Sequence, residues 1–328
     1  MIVVTGGAGF LGSNLVAALN ERGLHEVVVA DRLGTGTKWR NLAKRELAGL
    51  IAPGELFGFL DARAPEIETV FHLGAISATT EADADLIVGN NFALSLKLWE
   101  WCSWRGTRLI YASSAATYGD GALGFEDGLD IDALARLRPL NAYGWSKHLF
   151  DRRIARLVAG GAPTPPQWAG LKFFNVYGPN EYHKGGQQSV VAHLWPKLAA
   201  GEPAVLFRSH RPGVADGAQA RDFVWVGDCV AVMLWLYDHP TASGLFNVGS
   251  GKARSFAELA HALFAALGKQ PRIEFVDTPP EIRDKYQYFT EARLDRLRAA
   301  GYDGPTTPLE DGVRRYVTEF LASADPYR

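Results

Sequence analysis

Cysteine is scarce: Cys102 and Cys229 are the only two in 328 residues. They lie far apart in the sequence, each in apolar surroundings. Neither a disulfide framework nor a zinc site is expected from them, and a reducing cytoplasm fits. Excess charge of one sign is missing too. The formal net charge is −2, so no global positive field recruits nucleic acid or an anionic membrane. Long apolar runs are absent. The longest, Cys229 to Tyr237, is far too short to span a bilayer. The start, Met1-Ile2-Val3-Val4, has no basic region and runs straight into glycines, so no signal peptide is expected there. Repeats and low-complexity tails are also lacking. What remains is a chain that is 47% hydrophobic, enough for a large core in one big α/β domain or two lobes.

Ile2-Val3-Val4 reads as a buried strand, and Ser13 to Arg22 as a helix. Between them lies Thr5-Gly6-Gly7-Ala8-Gly9-Phe10-Leu11-Gly12. Strand, glycine turn and helix together make a dinucleotide-binding unit, in which glycines admit a pyrophosphate to the helix N-terminus. The spacing of Gly6, Gly9 and Gly12 is G-x-x-G-x-x-G. Val27 to Ala30 is the second strand and ends at Asp31, about 20 residues past Gly12, where an acid binds the adenosine ribose. Asp31 alone argues for NAD. Arg32 and Lys38, two cations nearby, argue for the 2′-phosphate of NADP; the balance leans to NADP and leaves NAD open.

Leu56 to Leu60 and Thr69 to Leu73 are expected to be the next strands. The second runs into Gly74-Ala75-Ile76-Ser77, a small-residue turn suited to a ligand crevice in an open parallel sheet. Asn90-Asn91 opens a long helix through Trp104, whose tryptophans Trp99, Trp101 and Trp104 suit a core or an oligomer interface. Arg108 to Ala112 is a strand ending at Ser113-Ser114. A further helix starts near Tyr143 and continues to about Val158. It puts Tyr143 and Lys147 one turn apart on one face. A nearby lysine cation lowers a phenol's pKa, so such a tyrosine can exchange a proton with a sugar hydroxyl near neutral pH. Leu171 to Phe174 and Gly244 to Val248 read as strands. Ala220 to Tyr237 reads as a short strand and an apolar helix. Ser255-Phe256-Ala257-Glu258 is a capping box opening another helix.

The blocks TGGAGFLG, YASSAATYG and YGWSK resemble the extended short-chain dehydrogenase/reductase superfamily, closest to its nucleotide-sugar epimerases and dehydratases. GTKWRNL, SATTEAD, EYHKGG, RDFVWVGD and the stretch from Lys285 to Pro305 narrow the resemblance to the ADP-L-glycero-D-manno-heptose 6-epimerases. The resemblance covers nearly the whole chain. It implies a Rossmann-like doubly wound parallel sheet with a smaller, discontinuous α/β substrate-binding lobe. The dinucleotide-binding domain would span 1–174 plus about 221–247 and 288–303. The lobe would take about 175–220, 248–287 and 304–328.

It also implies a catalytic set of Ser114, Tyr143 and Lys147, with Lys147 reaching the nicotinamide ribose, and a second acid/base at Lys184. Chemistry asks for that second group independently. Inverting a secondary alcohol passes through a planar ketone that must reorient, so its oxygen needs a proton donor in a new direction, and burial suits a lysine to that work. Phe10, Leu11, Leu73, Asn90, Val176 and Lys184 would join the glycines, Asp31, Arg32, Lys38 and Gly74 to Ser77 around the cofactor. Asn175, Gly186 and His193 would contact the sugar. Phe207, Arg221 and Tyr286 would hold the ADP part, an arginine fork suiting a diphosphate, together with Arg208, Ser209 and His210. The last three sit in a stretch to Ala220 that is longer than the family's usual link. The implied activity is inversion at C-6 of an ADP-heptose in lipopolysaccharide precursor synthesis, by a homo-oligomer that binds neither nucleic acid nor membrane. Two alternatives stay open. One is another nucleotide-sugar enzyme, such as a UDP-hexose 4-epimerase or a 4,6-dehydratase, although Thr117-Tyr118-Gly119 lacks the dehydratase's acidic pair. The other is a non-catalytic NAD(P)-binding sensor.

Overall fold

Runs of β-branched residues with no polar alternation demand burial on both faces, as in a parallel sheet sandwiched by helices. The computed structural model describes residues 1–283, 286–304 and 306–328. Lys285 and Pro305, which bound one of the resemblance blocks, lie outside the described residues. The strands are β1 (Ile2–Thr5), β2 (Val27–Ala30), β3 (Gly49–Ile51), β4 (Thr69–His72), β5 (Arg108–Ser114), β6 (Trp168–Phe173), β7 (Asn175–Tyr177), β8 (Ala204–Phe207), β9 (Ala220–Trp225), β10 (Gly244–Val248), β11 (Ala253–Ser255) and β12 (Ile273–Val276). Seven of them form one sheet in the order β10-β6-β5-β4-β1-β2-β3. Every neighbouring pair in it is parallel. β11-β9-β7 and β12-β8 make two smaller sheets.

Residues alternate between two helical layers. Ile2, Val4, Val27 and Val29 pack with Leu15 and Leu19 of the helix Phe10–Glu21, and with Cys229 and Met233 of the helix Val226–Asp238. Val3, Val28 and Val70 pack on the other face with Leu98, Trp99 and Cys102 of the helix Leu94–Arg105, and with Phe150 and Ile154 of the helix Ala142–Ala159. A separate core joins Leu198, Leu206, Leu263 and Val313, among others, around β8 and the helix Phe256–Ala266. Both cysteines are buried and free. Among the described residues no helix is long and apolar enough to cross a membrane.

One expected strand is wrong. Leu56 to Leu60 lies within the helix Leu56–Ala62, and the strand precedes it at Gly49–Ile51. The physical reason is visible in the burial: Leu56 and Leu60 are buried while Gly58, midway between them, is exposed, which fits a helix face and breaks the every-second-residue pattern of a strand. The tryptophan helix begins earlier than expected, as the helix Ala84–Ile87 followed by a π-helical stretch Val88–Ala93. Trp99 stacks edge-on against Trp168 at 5.2 Å between centroids and Trp101 donates to Asp61, while Trp104 is 75% exposed. Two of the three tryptophans are therefore core.

The β6 side of the sheet carries a buried ion pair. Lys172 on β6 donates to Asp151 at 2.6 Å, and both side chains are fully buried. Asp151 also accepts from Ser113, and Lys172 donates to Thr117. Removing one partner strands a charge in the interior, so Lys172→Met should destabilise the protein by about 3–5 kcal/mol. Lys172→Met combined with Asp151→Leu should recover most of that loss. Urea midpoints of the two variants check it, and equal destabilisation of single and double variants would refute it.

Candidate active site

In an open parallel sheet ligands bind where the strand order reverses. Here that is between β1 and β4, and a cavity of about 330 Å³ opens at their C-terminal ends. Gly6 has φ +68°, a conformation that favours glycine, and a Cβ there would meet Gly74 N at 2.5 Å. A Cβ at Gly12 would collide with the Gly6 carbonyl. These two positions let the turn fold flat under the helix Phe10–Glu21, whose N-terminus carries no side-chain cap. Backbone N–H groups at such an end suit a phosphate.

Gly6, Gly9, Phe10, Leu11, Gly12, Leu73, Ser77, Lys147, Val176 and Lys184 line this cavity. Arg32, Ile76 and Asn90 line an adjoining one, and Asp31, Lys38, Gly74 and Ala75 belong to both. All the residues expected around the cofactor therefore come together. Asp31 accepts from Ala8 N (2.9 Å) through Oδ2, and from Arg32 N (2.7 Å) and Lys38 Nζ (2.6 Å) through Oδ1. These residues fit an NAD(P) cofactor: a cradle that excludes Cβ atoms, an uncapped helix end and an acid at the end of β2.

Ser114, Tyr143 and Lys147 share the same cavity. Ser114 ends β5 and caps the turn Ala115–Tyr118 by accepting from Ala116 N. The helix Ala142–Ala159 starts at Asn141, whose Oδ1 accepts from Gly144 N at 2.8 Å. Gly144 lets that helix lie against the Ser114 turn, because a Cβ there would come within 2.7 Å of the Ala116 carbonyl. Tyr143 and Lys147 thus stand beside Ser114. Burial pushes the Tyr143 phenol above its ordinary value, and the Ser114 hydroxyl opposes that shift. Lys147 was expected to do the tuning. Its Nζ instead donates to Ala112 O at 2.8 Å, and it is absent from the groups that shift Tyr143. Burial brings the Lys147 ammonium down to about 8, and the Asp151 charge holds it from falling further.

Lys184 comes from the turn Tyr182–Gln187. Its Nζ sits 5.2 Å from the Phe10 ring centroid. Burial lowers its pKa, and the Glu181 carboxylate opposes this. Glu181 fixes the loop, accepting from Ser189 N and Oγ and from Tyr316 OH. His183 and Gln187 line the cavity too. Sequence reasoning passed over both, although they flank Lys184 and are the other polar residues of that turn.

The expected substrate residues divide. Phe207 and Tyr286 line a cavity of about 250 Å³ with Gln219 and Phe256, and the Arg221 guanidinium lies over the Tyr286 ring at 5.2 Å. Asn175, Gly186 and His193 are exposed and line none of the three cavities. Arg208, Ser209 and His210 are also outside them. Arg208 faces Asp277 and Asp216, Ser209 N donates to Asp216, and His210 accepts from Thr278 N. The long stretch after Phe207 folds back on itself and on the residues that follow β12.

With this geometry in place, the chain can be set beside known proteins. Residues 2–249 match the NAD dependent epimerase/dehydratase family. An ADP-L-glycero-D-manno-heptose-6-epimerase of Nitratidesulfovibrio vulgaris (strain DP4) is 49% identical over 329 residues, covering 100% of both chains. One from Fusobacterium nucleatum subsp. nucleatum is 43% identical over 335 residues, again covering 100% of both. The crystal structure of the Helicobacter pylori ADP-L-glycero-D-manno-heptose-6-epimerase superposes with a TM-score of 0.76 at 28% identity, covering 97% of this chain and 95% of that one. A Thermus thermophilus UDP-glucose 4-epimerase in complex with NAD gives a TM-score of 0.73 at 29% identity, covering 95% of this chain and 96% of that one.

Two buried histidines, His72 and His148, make the fold's stability depend on pH. His72 lies between Thr5 Oγ1 (2.7 Å) and Ser95 Oγ (2.9 Å), and burial, then the Lys147 charge, lower its pKa to about 3. Burial, then the Lys172 charge, lower His148 to about 4. The unfolded chain protonates near ~6.5, before the folded one does. Stability is then complete above that pH and falls on acidification, by up to about 1.4 kcal/mol per pH unit for each histidine, until the folded pKa is reached. Urea midpoints should drop from neutral pH toward about pH 4, and His148→Phe should flatten the slope. An unchanged slope would contradict this assignment.

Proposed function

The chain belongs to the NAD dependent epimerase/dehydratase family, and from that premise we propose that it inverts C-6 of ADP-D-glycero-D-manno-heptose to give the L-glycero epimer. The observation that carries this reading is one cavity holding Ser114, Tyr143 and Lys147 together with Lys184. Full-length identity of 43–49% to enzymes named for this reaction supports the heptose over the UDP-hexoses named for solved neighbours at 23–29%. The intact catalytic set supports an enzyme over a sensor.

Held by the glycine turn and Lys147, a bound nicotinamide would supply reversible hydride transfer at C-6. The residues of the chain handle the proton and the orientation. Ser114 hydrogen-bonds the reacting oxygen. Tyr143 takes up or gives a proton at O-6 in one orientation of the sugar side chain, and Lys184 does so in the other. Both are partly buried in the cavity, which limits their exchange with water. Lys147 holds the nicotinamide ribose. Arg221 and the cavity between Phe207 and Tyr286 take the ADP moiety, leaving the sugar to reach between the dinucleotide-binding domain and the lobe.

NADP is the cofactor proposed. Both oxygens of Asp31 are already occupied by donors of the chain, and Lys38 cancels its charge. Arg32 beside them leaves that corner net positive, as a 2′-phosphate requires. We also propose a homo-oligomer joined along the helices 84–105 and 142–159, where Leu86 and Trp145 are exposed apolar residues. The buried, unpaired cysteines fit a cytoplasmic setting.

Incubation of the purified protein with the D-glycero substrate should invert C-6, followed by NMR. Tyr143→Phe and Lys184→Met should each abolish inversion. Near-normal turnover by Lys184→Met would defeat the two-base scheme, and turnover of a UDP-hexose alone would defeat the substrate assignment. Lys38→Ala should weaken NADP binding by about ten- to hundredfold with little change for NAD. Equal loss for both cofactors, measured by calorimetry, would refute the NADP assignment.

A further inference from the structure

Lys184 has to be placed against a sugar that is itself placed by the cofactor side of the cleft, yet it sits on a loop in another part of the chain. Something must set the two in register. The turn Lys38–Leu42 stands between them. Lys38 and Asn41 are three residues apart in this 3₁₀ helix, and that spacing brings them to the same side. Lys38 holds Asp31, and Asp31 holds Ala8 of the glycine turn. Asn41 is 1% exposed. Its Nδ2 donates to Ala8 O at 2.9 Å and to Asn180 O at 3.1 Å, and it lies 3.2 Å from His183 Nδ1. One amide therefore ties the glycine turn to the residue next to Lys184.

The orientation of that amide is not arbitrary. Two of its three neighbours are carbonyl oxygens, which only the nitrogen end can satisfy. His183, the third neighbour, is neutral near pH 7, with a pKa lowered to about 4 by burial and by the charge of Lys38. The loop's remaining anchors have other roles. Glu181 ties it to Ser189 and Tyr316 within its own lobe. Asn180, with φ +71°, is held between Ser13 Oγ and Arg328 N. Among these, Asn41 makes the contact that reaches both the cofactor's turn and the immediate neighbour of Lys184.

We propose that Asn41 is a positioning residue for Lys184: by bonding Ala8 and Asn180 together and packing against His183 it sets the second acid/base at a fixed distance from the cofactor's glycine turn. The inference rests on the two-base reading above, in which Lys184 exchanges a proton with O-6. It predicts that an Asn41 variant keeps its cofactor and its Tyr143 chemistry and loses the Lys184 half of the reaction.

The test uses the holoenzyme as purified, with Asn41→Ala, the isosteric Asn41→Asp (which loses the donor and keeps the shape) and Lys184→Met in parallel. Bound NADP is quantified after denaturation, and folding is followed by urea titration. Each C-6 epimer of the ADP-heptose is then offered separately, while the absorbance of reduced nicotinamide and the C-6 configuration are recorded. Both Asn41 variants should retain full cofactor and a near-normal KM, with kcat lowered by about a hundredfold, the cost of a misplacement of about 1 Å. Reduced nicotinamide should build up with one epimer and not with the other, as in Lys184→Met. The inference is overturned if Lys184→Met loses turnover while the Asn41 variants keep kcat within a few-fold of wild type. It is also overturned if their loss follows loss of bound NADP, or if reduced nicotinamide builds up equally with both epimers. If Lys184→Met itself turns over normally, the two-base reading fails first and takes this inference with it.

Discussion

Two opposite charges with no access to water hold the catalytic side together. Asp151 and Lys172 meet at 2.6 Å with both side chains fully buried. Burying ions is costly, and their attraction compensates only when geometry and further hydrogen bonds are good. Here Ser113 and Thr117 supply those bonds. The pair spans three elements: β6 through Lys172, the helix Ala142–Ala159 through Asp151, and β5 with its following turn through Ser113 and Thr117. Ser114 is the next residue on β5, and Tyr143 and Lys147 lie two turns and one turn before Asp151. The relative placement of the three residues proposed for catalysis is therefore tied to one buried contact. An apolar pair would leave the helix free to slide; a hydrogen-bonded ion pair has one register.

The opposite wall is built by a different device. Lys184 sits on a loop with little apolar burial of its own, and a loop of that kind is held by satisfying its polar groups. Glu181 closes it from the lobe and Asn41 from the cofactor's turn. The cleft thus has one wall set by strands and a helix and one set by buried amide and carboxylate contacts. The second wall has fewer constraints, which suits a group that must meet a reorienting oxygen.

How much of this was readable in the chain depends on sequence distance. The glycine turn, Asp31 and the Tyr143/Lys147 spacing are local patterns, and the structure brings every residue expected around the cofactor to the two adjoining cavities. Leu56 to Leu60 was misjudged because a five-residue apolar stretch has too few positions to separate the two periods. Asp151 with Lys172, and Asn41 with Ala8 and Asn180, leave no local trace. Each is an ordinary polar residue until the fold delivers its partner from another element. Arg208 to His210 were placed by analogy alone, across a stretch whose extra length sends their bonds to Asp216, Asp277 and Thr278.

The two lysines of the cavity follow one electrostatic plan. Each is pulled below its ordinary pKa by burial, and each is held back by a single acid behind it, Asp151 for Lys147 and Glu181 for Lys184. Burial alone would favour neutral amines; the acids alone would favour fixed cations. The opposition leaves each ammonium able to part with its proton at a modest cost. For Lys184, proposed to act as donor and acceptor within one turnover, that is the property a proton-exchanging group needs; Lys147, proposed as an anchor, shares the same surroundings. Tyr143 lies on the other side of this balance. Burial raises its phenol and Ser114 tempers the rise, so it rests protonated and gives up its proton only to a partner delivered against it. A cavity in which one group rests protonated and another is poised to lose its proton has unequal walls, and inversion of an alcohol through a ketone requires that inequality to be reversible.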